Sequence, residues 1–223
     1  MAFSFSPKIA TDGLILYLDA ANTKSYVNGS TTWNDLSSTN TSFSLVNSPT
    51  FNSSNSGSIV FNGSTNYASG TLNISNSPFT IICWVYPNVS PTEDVYFSVG
   101  TSETLRNAIH LRLVDNTTFN FGMYNDDLSV IVSSVTNKWN CFAVTLTSGF
   151  VQSVYQNGVL VGSPRTASNY FTGNDVCNIG RWGITVPIQY INARVATSCV
   201  YNRALSSTEI LQNYNSLKGR FGL

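Results

Sequence analysis

Residues 139–162 read WNCFAVTLTSGFVQSVYQNGVLVG. In the first part Phe142, Val144 and Leu146 alternate with Cys141, Ala143 and Thr145. A period of two sends each set to its own face of a sheet. Ser148-Gly149 marks a turn, and Val151 to Gln156 makes a second strand. Asn157-Gly158 follows, and both residues tolerate the positive φ that a two-residue hairpin turn demands. Val159 to Val161 then runs back. A three-stranded ribbon of this kind needs more sheet to pack against.

The rest of the chain supplies it. Strand-like runs are Leu14–Asp19, Trp33–Leu36, Phe43–Val46, Ile59–Phe61, Tyr67–Ile74, Phe79–Tyr86 and Val95–Val99. Further runs are Asn107–Val114, Thr118–Tyr124, Leu128–Val132, Val176–Trp182 and Ala193–Tyr201. Residues 51–58, 163–174 and 183–189 read as loops. Short strands with turn signals between them predict an all-β sandwich or barrel. One helix is expected, near the C-terminus. Ser206 and Glu209 form a capping box, and Leu205 and Ile210 stand as a hydrophobic staple. Ile210, Tyr214 and Leu217 share a face, and Gly219 is the expected stop. The helix should lie on the sandwich as a lid.

The chain has 223 residues. That suits one large all-β domain at 13–223 preceded by an arm at 1–12. Arm and tail (218–223) are the expected contacts with neighbours. Charged residues make up 10%, against about 25% in typical soluble domains. Ser, Thr and Asn must therefore form the polar surface, which suits hydroxyl-rich partners. The net charge is zero and no Lys/Arg cluster occurs, so nucleic acid is not an expected partner. Nor is membrane insertion, since no run is apolar enough. The start, MAFSFSPKIATDG, lacks the apolar core of a secretory signal. An outward-facing composition without that route fits assembly in a host cytoplasm and release on a virion surface. Cys83, Cys141, Cys177 and Cys199 match no zinc spacing and read as buried free thiols, with disulfides in one of three pairings as the alternative.

Catalytic chemistry is hard to assemble. Retaining glycoside hydrolysis needs two carboxyls about 5 Å apart. Glu93 and Asp94 are adjacent and point to opposite faces, Glu103 is isolated, Glu209 belongs to the helix cap, and Asp126-Asp127 sit in a turn. The chain therefore reads as a non-enzyme. His110, the single histidine, lies with Arg112 on the polar face of its strand and reads as solvated. No cofactor is expected. A calcium site would draw on Asp35 with Asn40, or Asn174 with Asp175, though turn chemistry explains the same residues. Asn174, Asp175, Trp182 and Tyr190 border the two late loops and combine aromatic platforms with amide and carboxylate groups, as a sugar site would. Packing against the sandwich is the competing role for Trp182.

Several motifs carry a family likeness. They are Gly13-Leu-Ile-Leu-Tyr-Leu-Asp-Ala20, Trp33-Asn-Asp-Leu-Ser37, the ribbon Trp139–Val161, Ile179-Gly-Arg181 and Tyr201-Asn-Arg-Ala-Leu-Ser206. Together they resemble laminin G-like domains of the concanavalin A-like lectin/glucanase superfamily. The resemblance implies a jelly roll of two antiparallel sheets, with Arg181 in a structural role. It departs from the pattern after Asp35, where glycines are missing, and at Ala193, where Gly is usual. Domains with this opening and closing pair resemble those of tailed-phage structural proteins. The implied role is a capsid decoration or fibre-like surface protein, forming homo-oligomers. Its implied partners are capsid or tail proteins of the same particle, and cell-surface glycans. The alternatives are a free carbohydrate-binding lectin-like module and a divergent glycoside hydrolase.

Overall fold

A computed structural model describes residues 8–183 and 189–223. The strands of the first half are β1 (Leu14–Asp19), β2 (Thr32–Asn34), β3 (Ser42–Val46), β4 (Thr50–Asn52), β5 (Ser58–Asn62), β6 (Tyr67–Thr71), β7 (Phe79–Pro87) and β8 (Asp94–Val99). Those of the second half are β9 (Ile109–Leu113), β10 (Thr118–Gly122), β11 (Leu128–Ile131), β12 (Asn140–Leu146), β13 (Val151–Gln156), β14 (Val159–Thr166), β15 (Val176–Ile179) and β16 (Asn192–Tyr201). Among the described residues they form two eight-stranded antiparallel sheets. Sheet 1 runs β14-β13-β12-β7-β16-β5-β4, with β1 also paired to β16. Sheet 2 runs β11-β10-β9-β8-β15-β6-β3-β2. The result is a jelly-roll sandwich with one short helix, α1 (Ser207–Leu217).

The ribbon behaves as its alternation demands. Phe142, Val144 and Leu146 face the inter-sheet core. There the Phe142 ring stacks on Phe119 of sheet 2 at 4.5 Å. Cys141 and Ala143 face the other way, yet they are buried too, in a second cluster with Ile82, Trp84 and Cys199. Central strands of sheet 1 thus lose water on both faces, which is why β7 reads as a continuous apolar run.

Helix α1 and the chain after it cover that outer face. Ser206 and Glu209 make the capping box reciprocally. Leu205 and Ile210 are both buried beside it. The helix does not stop at Gly219. It tightens into a 3-10 turn, Lys218–Phe221, and the left-handed residue is Gly222 at φ +74°. The tail is therefore part of the fold. Phe221 stacks on Trp84 at 4.2 Å and meets Trp139 at 4.5 Å. Arg220 pairs with Asp19 at 2.7 Å and donates to the Asn55 carbonyl at 2.6 Å. Of the arm, residues 8–12 lie within the described structure. Ala10 N–H donates to the Asn213 side chain at 2.8 Å, so this stretch is tied to the helix.

Two loop expectations are corrected. Strand β14 continues through Pro164 to Thr166, where a loop was expected from 163. As the edge strand of sheet 1 it needs no outward N–H at Pro164. Thr50–Asn52 is strand β4, paired to β5, and not only loop. All four cysteines are buried free thiols.

Truncating Phe221 to alanine would remove the ring clamped between Trp84 and Trp139. The expected loss is about 3 kcal/mol in urea unfolding. Leu223→Ala, at an exposed site, should stay within about 0.5 kcal/mol. Equal effects from the two would mean that the tail does not hold the outer face.

Candidate functional site

The outer face of sheet 2 is built from short polar residues at alternate strand positions. Ser98 of β8 stands opposite His110 of β9 and Asn178 of β15. His110 in turn stands opposite Gly122 of β10. Gly122 lets the imidazole lie flat on the sheet, for a Cβ there would come within 2.0 Å of the ring. The segment after β15 folds back across this face. Ser98 Oγ donates to the Arg181 carbonyl at 3.0 Å, and Arg181 Nε donates to Asn178 Oδ1 at 3.2 Å. Trp182 then lands on His110, with ring centroids 4.3 Å apart. The Arg112 guanidinium lies 5.8 Å from the Trp182 ring centre.

His110 is thus not solvated. It is 1% exposed, because a residue 72 positions later covers it, which alternation within the strand cannot reveal. Its Nε2 bonds Asn120 Oδ1 at 2.6 Å. Burial, with the Arg112 charge second, pushes its pKa down to about 3. The imidazole is neutral at physiological pH.

The structure divides the four sequence-selected residues. Asn174 donates to Thr101 Oγ1 at 2.7 Å. Gly183, next to Trp182, reaches the same corner, since a Cβ on it would stand 3.2 Å from the Gly100 carbonyl oxygen. Asn174 and the Trp182 segment are therefore drawn together. Asp175 instead lines a separate cleft of about 250 Å³ with Thr39 and Thr71. Tyr190 packs on Tyr67 at 6.3 Å, and Arg181 lies over that same Tyr67 ring at 3.5 Å. Residues 184–188 of the expected late loop fall outside the described residues. Asn120, Asn178 and Arg112 were missed in the sequence. Their alternation with core residues was the available signal.

The acidic residues are engaged elsewhere. Glu93 pairs with Arg112 at 2.6 Å. Asp126, buried, pairs with Arg165 at 2.7 Å. Asp94 is buried, and burial raises its pKa to about 6. Asp35 accepts from the N–H groups of Tyr17 and Ser37 and from the hydroxyls of Ser37 and Thr39, at 2.6–2.8 Å. Its carboxylate closes the loop, and these bonds hold its pKa down against the opposing effect of burial. Among the described residues no group of three or more His, Cys, Asp or Glu side chains is placed to hold a metal ion.

The closing motif is also structural. Arg203 forks onto Glu209 at 2.6 and 3.1 Å. Thr80 Oγ1 donates to the Arg203 carbonyl and accepts from Leu205 N, each at 2.9 Å. A family model described as the concanavalin A-like lectin/glucanases superfamily matches residues 61–211, which include this motif. The chain belongs to that superfamily. Among curated proteins no relative matches. Solved structures with the same fold include the binding domain of Paraclostridial Mosquitocidal Protein 1, with TM-score 0.70 and 17% identity, covering 92% of this chain and 52% of that one. The binding domain of Botulinum Neurotoxin DC, solved in complex with SialylT, gives TM-score 0.70 and 16% identity, covering 93% and 52%. The receptor binding domain of Botulinum Neurotoxin Type G gives TM-score 0.65 and 14% identity, covering 91% and 51%. This superfamily member spans about half the length of those toxin domains.

A buried neutral imidazole has a pH signature. His110 has a folded pKa below its unfolded value, so its contribution is present above about pH 6.5 and fades as pH falls toward 3. Asp94, raised to about 6, works oppositely and loses its contribution as pH rises through that value. His110→Gln should therefore lose less melting temperature than the wild type on going from about pH 7 to about pH 4. Parallel slopes would mean that His110 does not charge on unfolding.

Proposed function

We propose that this domain is a non-catalytic recognition module that binds glycans on the outer face of sheet 2, and that it serves at the surface of a tailed-phage virion. The observation that carries the binding part is the half-buried Trp182 ring, seated on neutral His110 beside the amides of Asn120 and Asn178. An indole offers a flat apolar surface to a sugar's C–H face, and the buried amides beneath it hold the ring's platform in place. Asn174 and Tyr190 flank this surface, while Asp175 serves the neighbouring cleft. Support comes from the folds that resemble it. The Botulinum Neurotoxin DC domain was solved with SialylT, and cell entry of botulinum neurotoxin type C depends on two ganglioside molecules. The engagement of Glu93 and Asp126 with arginines supports a non-catalytic reading.

The virion setting rests on the motif likeness to phage structural proteins and on the low-charge, hydroxyl- and amide-rich composition. Capsid or tail proteins of the same particle, further copies of this chain and cell-surface glycans are the partners this reading assigns.

A glycan array with the isolated chain tests the binding part. Binding should be detected and weakened about tenfold by Trp182→Ala. A flat array, or an unchanged profile in the variant, would sink it, and release of reducing ends from a polysaccharide panel would overturn the non-catalytic reading. Mass spectrometry of purified particles tests the setting. The chain should be found in fixed ratio to the major capsid protein, and its absence would remove the virion assignment.

A further inference from the structure

We propose a second saccharide site, at the open edge of the sandwich, that takes one uncharged pyranose ring. It deepens the glycan-binding reading above but shares no residue with the Trp182 face.

The site is a pocket of about 350 Å³ between the segment leading into β2 and the turn that joins β3 to β4. β2 and β4 are the free edges of their sheets, so the sandwich is not closed there. The volume lies at the small end of ligand pockets, roughly 300–1,000 Å³. It suits a single ring and not a chain. The interior is apolar, with Tyr26, Leu45, Pro49 and Phe51. Tyr26 and Phe51 pack at 5.5 Å between centroids with a 35° tilt, and Phe51 is only half-buried.

Among the described residues, several polar side chains at the mouth make no hydrogen bond. Asn28, Thr31, Ser48 and Thr50 line it with exposed side chains. Other side chains around the pocket do close local bonds, as Ser30 does with the Thr32 carbonyl at 3.0 Å. Deeper in, the Tyr26 hydroxyl accepts from Gly29 N at 3.3 Å, and its own hydrogen finds no acceptor among the described residues. The Tyr26 ring is buried, and its part-buried hydroxyl has a hydrogen to offer a ligand.

Charge decides the ligand class. No lining residue is charged, so a phosphate, carboxylate or ammonium group would lose its water without a partner. An apolar wall ringed by neutral donors and acceptors matches a ring with C–H faces and hydroxyl edges. The wall is also preformed. Asn47 and Ser48 both hold positive φ, at +58° and +53°, and Pro49 fixes the next φ.

The experiment is an NMR titration of the ¹⁵N-labelled full chain with methyl glycosides of glucose, galactose and N-acetylglucosamine. N-acetylneuraminic acid serves as the charged comparison. At least one neutral glycoside should shift amides of residues 26–31 and 48–51, with Kd on the order of 1 mM. Thr50→Lys, an exposed substitution that puts a charged chain in the mouth, should weaken this about tenfold or more while the rest of the spectrum stays folded. Trp182→Ala should leave it unchanged. Shifts confined to the Trp182 face would overturn this site and leave the earlier reading standing. Shifts confined to the pocket would do the reverse. Equal or stronger pocket shifts with N-acetylneuraminic acid would overturn the uncharged ligand class, and no shift by any sugar would overturn both sites.

Discussion

The outer face of sheet 1 cannot be left wet. Strand β7 carries Ile82 and Trp84 outward while Ile81, Cys83 and Val85 face the other sheet. With both faces apolar, an uncovered sheet 1 would expose a broad hydrophobic surface. Helix α1, the tail and residues 8–12 resolve this together. Tyr214 and Phe221 both stack on Trp84, at 5.6 and 4.2 Å. Arg220 ties the tail to Asp19 and thus to β1. With that side covered, the half-exposed Trp182 segment over sheet 2 and the open sandwich edge lie elsewhere on the molecule.

Much of this was legible because the deciding signals are local. The Asn157-Gly158 hairpin, the alternation in β12 and the Ser206–Glu209 box each lie within a few residues, and each formed as read. What was not legible depends on contacts across long sequence separations. His110 looks solvated until Trp182 is laid on it. Pro164 looks like a strand breaker until β14 is known to be an edge. Gly219 looks like a helix stop until Phe221 is seen to need a place against Trp84, which carries the chain one turn further. The candidate site was legible in part. Asn174 and Gly183, next to Trp182, meet at the Gly100–Thr101 corner, but no local pattern says that Asp175 lines another cleft.

The residues that make the family recognisable are spent on construction. Arg203, Glu209 and Thr80 lock the helix start to β7. Asp35 closes its loop with its carboxylate already bonded from several directions. Arg181 lies on Tyr67. Signature positions that only build the sandwich leave the others free to vary, which is how one fold can serve unrelated ligands.

Gln212 of the helix donates to the Lys8 carbonyl at 2.7 Å, and the tail ends beside the same aromatic cluster. Both ends of the described chain thus emerge on the covered side of sheet 1. A polypeptide joined after Leu223 would depart from there. A tether at the C-terminal end would hold the domain by its back, with the Trp182 face turned outward. Fusing a cargo or a second module at the C-terminus would leave that face unobstructed, and a loop graft on the sheet 2 side would not.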